Sequence, residues 1–206
     1  MQRRRLLLTL ILVAVNLSPC HAQETYQTES ERLAKLMHWQ AGSVVAEIGA
    51  GEGEMTLAAA RRVGPTGHVY STELDDKKLE DLKSKAAADP LHNITVLKAA
   101  IAETHLPPAC CNAIFMRHVY HHFAQPATMD SSLFASLKPG GMVAIIDFPP
   151  KSGLPPVEGV PANRGGRGVP ARIVVEELTA AGFQVTSAPL DFPDGDFCVL
   201  ARKPPQ

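Results

Sequence analysis

The chain has 206 residues, 45% of them hydrophobic and 20% charged, with 20 Lys and Arg against 21 Asp and Glu for a formal net charge of −1. That length is one domain's worth, enough to bury a single core. The balanced charge leaves no basic footprint for nucleic acid, and four cysteines, two of them adjacent at Cys110 and Cys111, make a poor disulfide framework.

Residues 1–22 read as a leader rather than as part of the fold. Arg3-Arg4-Arg5 is a basic start, Leu6 to Leu17 an apolar run, and Cys20-His21-Ala22 a small-residue cleavage site before Gln23. The apolar run falls short of the about 20 residues a spanning helix needs. A signal peptide cleaved before Gln23 is therefore expected, followed by one domain over residues 23–206. Cleavage implies an exported protein, periplasmic or secreted, with no stable membrane span. An uncleaved leader would tether it to the membrane instead.

Glu29 to Trp39 is predicted to be an amphipathic helix, with Leu33, Leu36 and Met37 on one side. Val44 to Ile48 is an apolar strand, and Gly49-Ala50-Gly51-Glu52-Gly53 is a loop with glycine at every second position. A backbone turning this tightly from strand to helix is built to lie against a ligand. A dinucleotide fingerprint would need glycine where Glu54 stands, and no Gly-Lys-Ser/Thr follows for a phosphate loop. Three acids, Glu47, Glu52 and Glu54, crowd the loop. They oppose a pyrophosphate and suit a ligand carrying a sulfonium and an ammonium.

Met55 to Val63 reads as the helix after this loop, Gly64 to Gly67 as a turn, and His68 to Leu74 as a second strand. Glu73 lies 20 residues beyond Gly53, where the carboxylate that holds ribose hydroxyls sits in nucleoside-binding βαβ units. Asp75 to Ala88 is predicted helical, His92 to Leu97 a third strand, Thr128 to Leu137 a helix and Met142 to Phe148 a buried strand. The Pro- and Gly-rich segment Pro149 to Pro170 reads as a loop with a mobile, basic Asn163–Gly168 core. It is either a surface insertion or a substrate-contacting lid. Ala171 to Ala181 is expected to be helical and capped by Gly182, ahead of two strands at Phe183–Ala188 and Phe197–Arg202. The Pro193-Asp194-Gly195-Asp196 turn joins them as an antiparallel hairpin.

The glycine loop, Glu73 closing the second strand, and the segments Leu106 to Phe115, Tyr120-His121-His122-Phe123 and Leu137-Lys138-Pro139-Gly140-Gly141 occur in one order. In that order the chain resembles the class I S-adenosylmethionine-dependent methyltransferases over about Leu33 to Lys203. The resemblance implies an α/β three-layer sandwich: a seven-stranded, mostly parallel, doubly wound sheet ending in an antiparallel hairpin. It implies S-adenosyl-L-methionine as cofactor and methyl transfer to a small-molecule acceptor. It also places Glu47, Gly49, Ala50, Gly51 and Gly53 at the methionine and ribose, Glu73 at the ribose, Leu74 on the adenine, and Ile101, Ala102 and Glu103 at the adenine edge.

The chain departs from the family's pattern twice: no acid directly follows the third strand, and Arg117-His118 stands where many relatives carry an acid. His118, Tyr120, His121 and His122 form its densest group of titratable side chains and are the candidates for catalysis. No metal site is expected, because His118 and His122 would need helical spacing in a region that reads as strand and loop. A cofactor pocket without transfer activity, and a nicotinamide-dependent oxidoreductase, are the competing readings. The leader adds a tension, since S-adenosylmethionine is made in the cytoplasm. Folding around the cofactor before export, or retention by an uncleaved leader, would relieve it.

Overall fold

A computed structural model of the protein describes residues 19–205. Most of the expected leader, residues 1–18, lies outside the described residues. The first helix, α1 (Pro19–Leu36), starts well before the predicted Glu29 and crosses the expected cleavage point before Gln23. Trp39 follows it in a turn and packs edge-on against Phe115, with ring centroids 5.6 Å apart.

The core is a seven-stranded sheet of β1 (Val44–Ile48), β2 (His68–Glu73), β3 (Ile94–Lys98), β4 (Cys111–Arg117), β5 (Leu137–Asp147), β6 (Gln184–Asp191) and β7 (Phe197–Arg202), in the order β3-β2-β1-β4-β5-β7-β6. Strands β1 to β5 pair in parallel, and β7 runs antiparallel to both β5 and β6. Helices α2 (Glu54–Val63), α3 (Asp76–Ala88), α4 (Pro126–Ser136) and α5 (Ala171–Ala180) connect them. The three-layer arrangement with its C-terminal hairpin is the one the motif order implies.

The strand sequences explain the layering. In β4, Ala113 and Phe115 face one side, where α1 and α2 contribute Leu33, Ala34, Ala59 and Val63. Ile114 and Met116 face the other, where α4 and α5 contribute Leu133, Ile173 and Leu178. A strand buried on both faces has no polar alternation, and so reads as a continuous apolar run. β5 is longer than predicted: Leu137 already pairs with Cys111, and the ladder then shifts register to join Ala113 to Met142.

The loop at 149–170 is not the mobile, basic segment expected from its composition. Arg164 is fully buried, its Nη1 donating to both carboxylate oxygens of Glu177 on α5 at 3.0 Å, and Lys151 pairs with Arg167 across the loop. Burying a guanidinium is tolerable only with such a partner, and this one sews the loop to the helix behind it.

Candidate functional site

Strand order reverses between β1 and β4, and the crevice outside their carboxyl ends is where open α/β sheets hold ligands. Two adjoining pockets lie there, sharing Gly49, Gly51, Arg117 and His118 in their walls. The larger, about 520 Å³, runs from Glu73, Leu74 and Ile101 to Val119, His122, Phe123 and Met129. The smaller, about 190 Å³, is walled by Glu47, Ala50, Glu52, Glu54 and Tyr26 of α1.

Glu47 is buried at the base of the smaller pocket, where it accepts from the Thr56 hydroxyl on α2. Burial pushes its carboxyl up to about 8; the Thr56 hydrogen bond opposes this and the Glu54 charge adds to it. An acid held protonated in this way is poised to ionise when a cation arrives.

Glu73 ties the glycine loop to β2. Its Oε2 accepts from the Gly51 amide at 2.8 Å, and its Oε1 from the amides of Leu74 at 2.7 Å and Asp75 at 2.9 Å. Gly51 has a positive φ of 54° and open space where a Cβ would stand, so the loop's approach to the cavity is bare backbone. Gly53 also has a positive φ, 82°, but a Cβ there would meet Leu82 Cδ1 at 2.3 Å, and Gly53 lines neither pocket. Its role is packing of the loop on α3.

Beside Glu73, Leu74 and Ile101 are 51% and 61% exposed, and with Leu154 they are the large hydrophobic side chains left in solvent among the described residues. Both line the cavity, where they form an apolar clamp. Glu103 also reaches the wall, while Ala102 does not.

The four titratable candidates separate. His118 follows β4 with a positive φ of 56°, held by its N–H donating to the Ile146 carbonyl at 2.8 Å, and its ring belongs to both pockets. Its Nε2 lies 2.6 Å from Asp196 Oδ2, and the ring meets Phe148 edge-on. His122 lines the larger cavity, with its protonation held low chiefly by burial and next by its neighbour His121.

His121 is buried off the wall. Its ring Nδ1 lies 2.9 Å from Asp147 Oδ1, and its amide donates to Oδ2 at 3.0 Å. Tyr120 points into the core, its hydroxyl donating to Asp130 at 2.8 Å, and burial drives its ionisation far up. The structure thus brings His118 and His122 to the cavity and keeps Tyr120 and His121 from it, because the short 3-10 turn Tyr120–His122 after β4 buries its first two residues and returns the third to the wall.

Sequence reasoning missed several participants. Asp196 arrives from the β6–β7 turn, Thr72, Lys78 and Thr104 from neighbouring elements, and Glu158 from the Pro- and Gly-rich loop. The one available signal was that the loop is long for a compact domain. Arg117, on both walls, lies 3.4 Å from Glu29 of α1 and 3.4 Å from Asp194, tying α1 and the hairpin turn to the site. Burial raises the Glu29 carboxyl, against the Arg117 charge.

Comparison with known proteins agrees with this geometry. Residues 45–141, from β1 into β5, match the family model described as a methyltransferase domain. A demethylmenaquinone methyltransferase of Listeria monocytogenes is 25% identical over 113 residues, covering 55% of this chain and 48% of that protein. The chain thus spans about half the length of the curated relatives it matches. Among solved structures, a SAM-dependent methyltransferase from Aquifex aeolicus superposes with a TM-score of 0.72 at 24% identity, covering 90% of this chain and 94% of the other. A possible exported protein from Bordetella parapertussis superposes with a TM-score of 0.63 at 16% identity, over 91% and 69% of the two chains. The strand order and the terminal hairpin thus give the chain the fold of the solved methyltransferase it superposes on, and its residues 45–141 are similar to a methyltransferase domain.

Proposed function

We propose that the protein binds S-adenosyl-L-methionine across the two pockets and transfers its methyl group to a small-molecule acceptor. One observation carries this reading: a buried acid in a small acidic pocket, a carboxylate braced against the glycine loop, and an exposed apolar clamp follow one another along a single crevice. The residues fit the cofactor's parts. Glu47 suits the ammonium, Glu73 the ribose hydroxyls through its remaining lone pairs, bare Gly49–Gly51 backbone a close approach, and Leu74 with Ile101 an adenine ring.

When bound, the cofactor supplies a methyl group already activated on a sulfonium, whose departure needs no acid. The chain's own work is alignment and exclusion of water. Calorimetric titration with S-adenosylhomocysteine and with NAD tests the assignment. S-adenosylhomocysteine should bind and NAD should not. Glu73→Ala should weaken binding at least tenfold, a loss of about 1.4 kcal/mol. Full affinity in that variant would remove the pocket from the argument.

Export, with cleavage before Gln23, stands as the proposal for the N-terminal segment. Among the described residues no helix is long and apolar enough to cross a membrane. The contacts of Tyr26, Glu29 and Leu33 would all survive that cleavage. N-terminal sequencing of the protein recovered from cell fractions should read from Gln23, and an intact Met1 on membranes would replace export with tethering.

A further inference from the structure

The residue shared by both pockets at the end of β4 is a histidine with a buried carboxylate behind it. His118 Nε2 lies 2.6 Å from Asp196 Oδ2, whose side chain is 4% exposed while that of His118 is 38% exposed. A carboxylate can only accept, so the hydrogen of the neutral ring sits on Nε2, leaving Nδ1 as a lone-pair acceptor. Among the described residues no hydrogen bond occupies Nδ1. The ring is also held in a rarely populated backbone conformation by the β5 ladder, and strain of this kind gathers at functional positions.

We propose that His118, oriented by Asp196, takes the proton from the methyl acceptor at the junction of the two pockets, and that the acceptor is an apolar hydroxyl compound of phenol or enol type. The inference rests on the S-adenosylmethionine reading above and adds the acceptor's chemistry to it. An acceptor without a proton to lose, such as a thioether or tertiary amine, would need no such pair. The larger pocket's lining includes the apolar side chains of Val119, Phe123 and Met129 beside its polar ones, which favours an aromatic or enolic hydroxyl over a sugar.

In the transfer the new oxygen–carbon bond forms as the sulfur–carbon bond breaks, and sulfur keeps that electron pair as a neutral thioether. The oxygen–hydrogen bond breaks with its pair left on oxygen, and the proton goes to Nδ1. The resulting imidazolium is stabilised by Asp196 and returns its proton to solvent through the exposed part of the ring.

His118 is better placed than its neighbours. His121 is locked on Asp147 off the wall, and among the described residues His122 has no hydrogen bond to a carboxylate. The other charged groups on the walls His118 shares or in ion pairs beside it are Arg117 on its own strand, Glu29 from α1, Asp194 from the hairpin turn, Glu47, Glu52 and Glu54 on the smaller pocket, and Lys78, Glu103 and Glu158 on the larger.

Histidine-selective ¹⁵N NMR on the full chain, with calorimetry and a methyl-transfer assay on catechol, 4-nitrophenol and a 1,3-diketone enol, tests the proposal. The neutral His118 ring should be the Nε2–H tautomer in wild type and lose that preference in Asp196→Ala. Asp196→Asn should bind S-adenosylhomocysteine as wild type does, while kcat on the probe falls about 10- to 100-fold at nearly unchanged KM. His118→Ala should lose about 100-fold or more. An Nδ1–H tautomer in wild type, wild-type kcat in Asp196→Asn, or no transfer to any hydroxyl probe by protein that binds S-adenosylhomocysteine would overturn it. Failure to bind S-adenosylhomocysteine would instead sink the reading beneath it.

Discussion

Glu47 shows how much a single position in this fold has to hold. Burial raises its carboxyl to about 8, well above an ordinary glutamate, so the native state holds a proton the unfolded chain has released across the range from about pH 4.5 to 8. The stabilisation from that proton is complete below the unfolded value and is lost as pH rises through the native one. The slope from this one group is at most about 1.4 kcal/mol per pH unit. Asp130, pushed up to about 7 chiefly by burial, acts in the same direction. Urea denaturation at pH 5 and pH 8 should therefore find wild type less stable at pH 8, and Glu47→Gln should recover a large part of the difference. An unchanged pH dependence in that variant would show that Glu47 does not carry the proton.

The glycines of the loop divide at the same scale. Gly51→Ala places a methyl in open space at the cavity, at a backbone cost of about 1 kcal/mol, so it should fold nearly normally and bind S-adenosylhomocysteine at least tenfold more weakly. Gly53→Ala drives a methyl into Leu82 and should instead lower stability by about 1–3 kcal/mol. Thermal denaturation and calorimetry on the two variants distinguish these outcomes. From spacing alone the three glycines looked equivalent. Only the position of α3 under Gly53 separates them.

At the level of elements, the Pro- and Gly-rich loop is governed by Arg164. Its guanidinium is fully buried under the loop, with Nε and Nη2 unpaired, and it stands 5.6 Å from the Tyr120 ring centroid. Removing it would leave Glu177 without its cation, and breaking a buried pair typically costs about 3–5 kcal/mol. Since Glu177 is 17% exposed, Arg164→Ala should cost somewhat less, about 2–4 kcal/mol, and open residues 150–168 to limited proteolysis. Resistance equal to wild type would mean the loop is held by its other contacts. Composition pointed to a mobile basic segment because Gly, Pro and Arg usually mark solvated chain. The partner that overrides this comes from α5, beyond the reach of any local pattern. By contrast α3 was legible almost to the residue, because Asp75 caps it through a local bond, accepting from the Lys78 amide at 2.9 Å.

For the molecule as a whole, the hairpin completes both the sheet and the site. β7 lies between β5 and β6, with Phe197 to Ala201 buried, and the turn before it carries Asp194 and Asp196 to Arg117 and His118. A chain ending at Asp191 would strip β5 of its antiparallel partner and leave β6 without a neighbour. Such a truncation should show no cooperative urea transition; a sharp one would mean the five parallel strands fold on their own. What the sequence determined by itself was everything set by near neighbours: apolar strands running into a glycine loop, helix caps, turn residues, and the order of motifs that resembles a methyltransferase domain. What only the tertiary structure decided was which side chains meet. His118 finds Asp196 across 78 residues, Arg164 finds Glu177, and Tyr120 turns inward to Asp130. The physical reason is that periodicity and capping act within a turn or two of chain, whereas a site at a sheet's switch point is assembled from the ends of strands far apart in sequence.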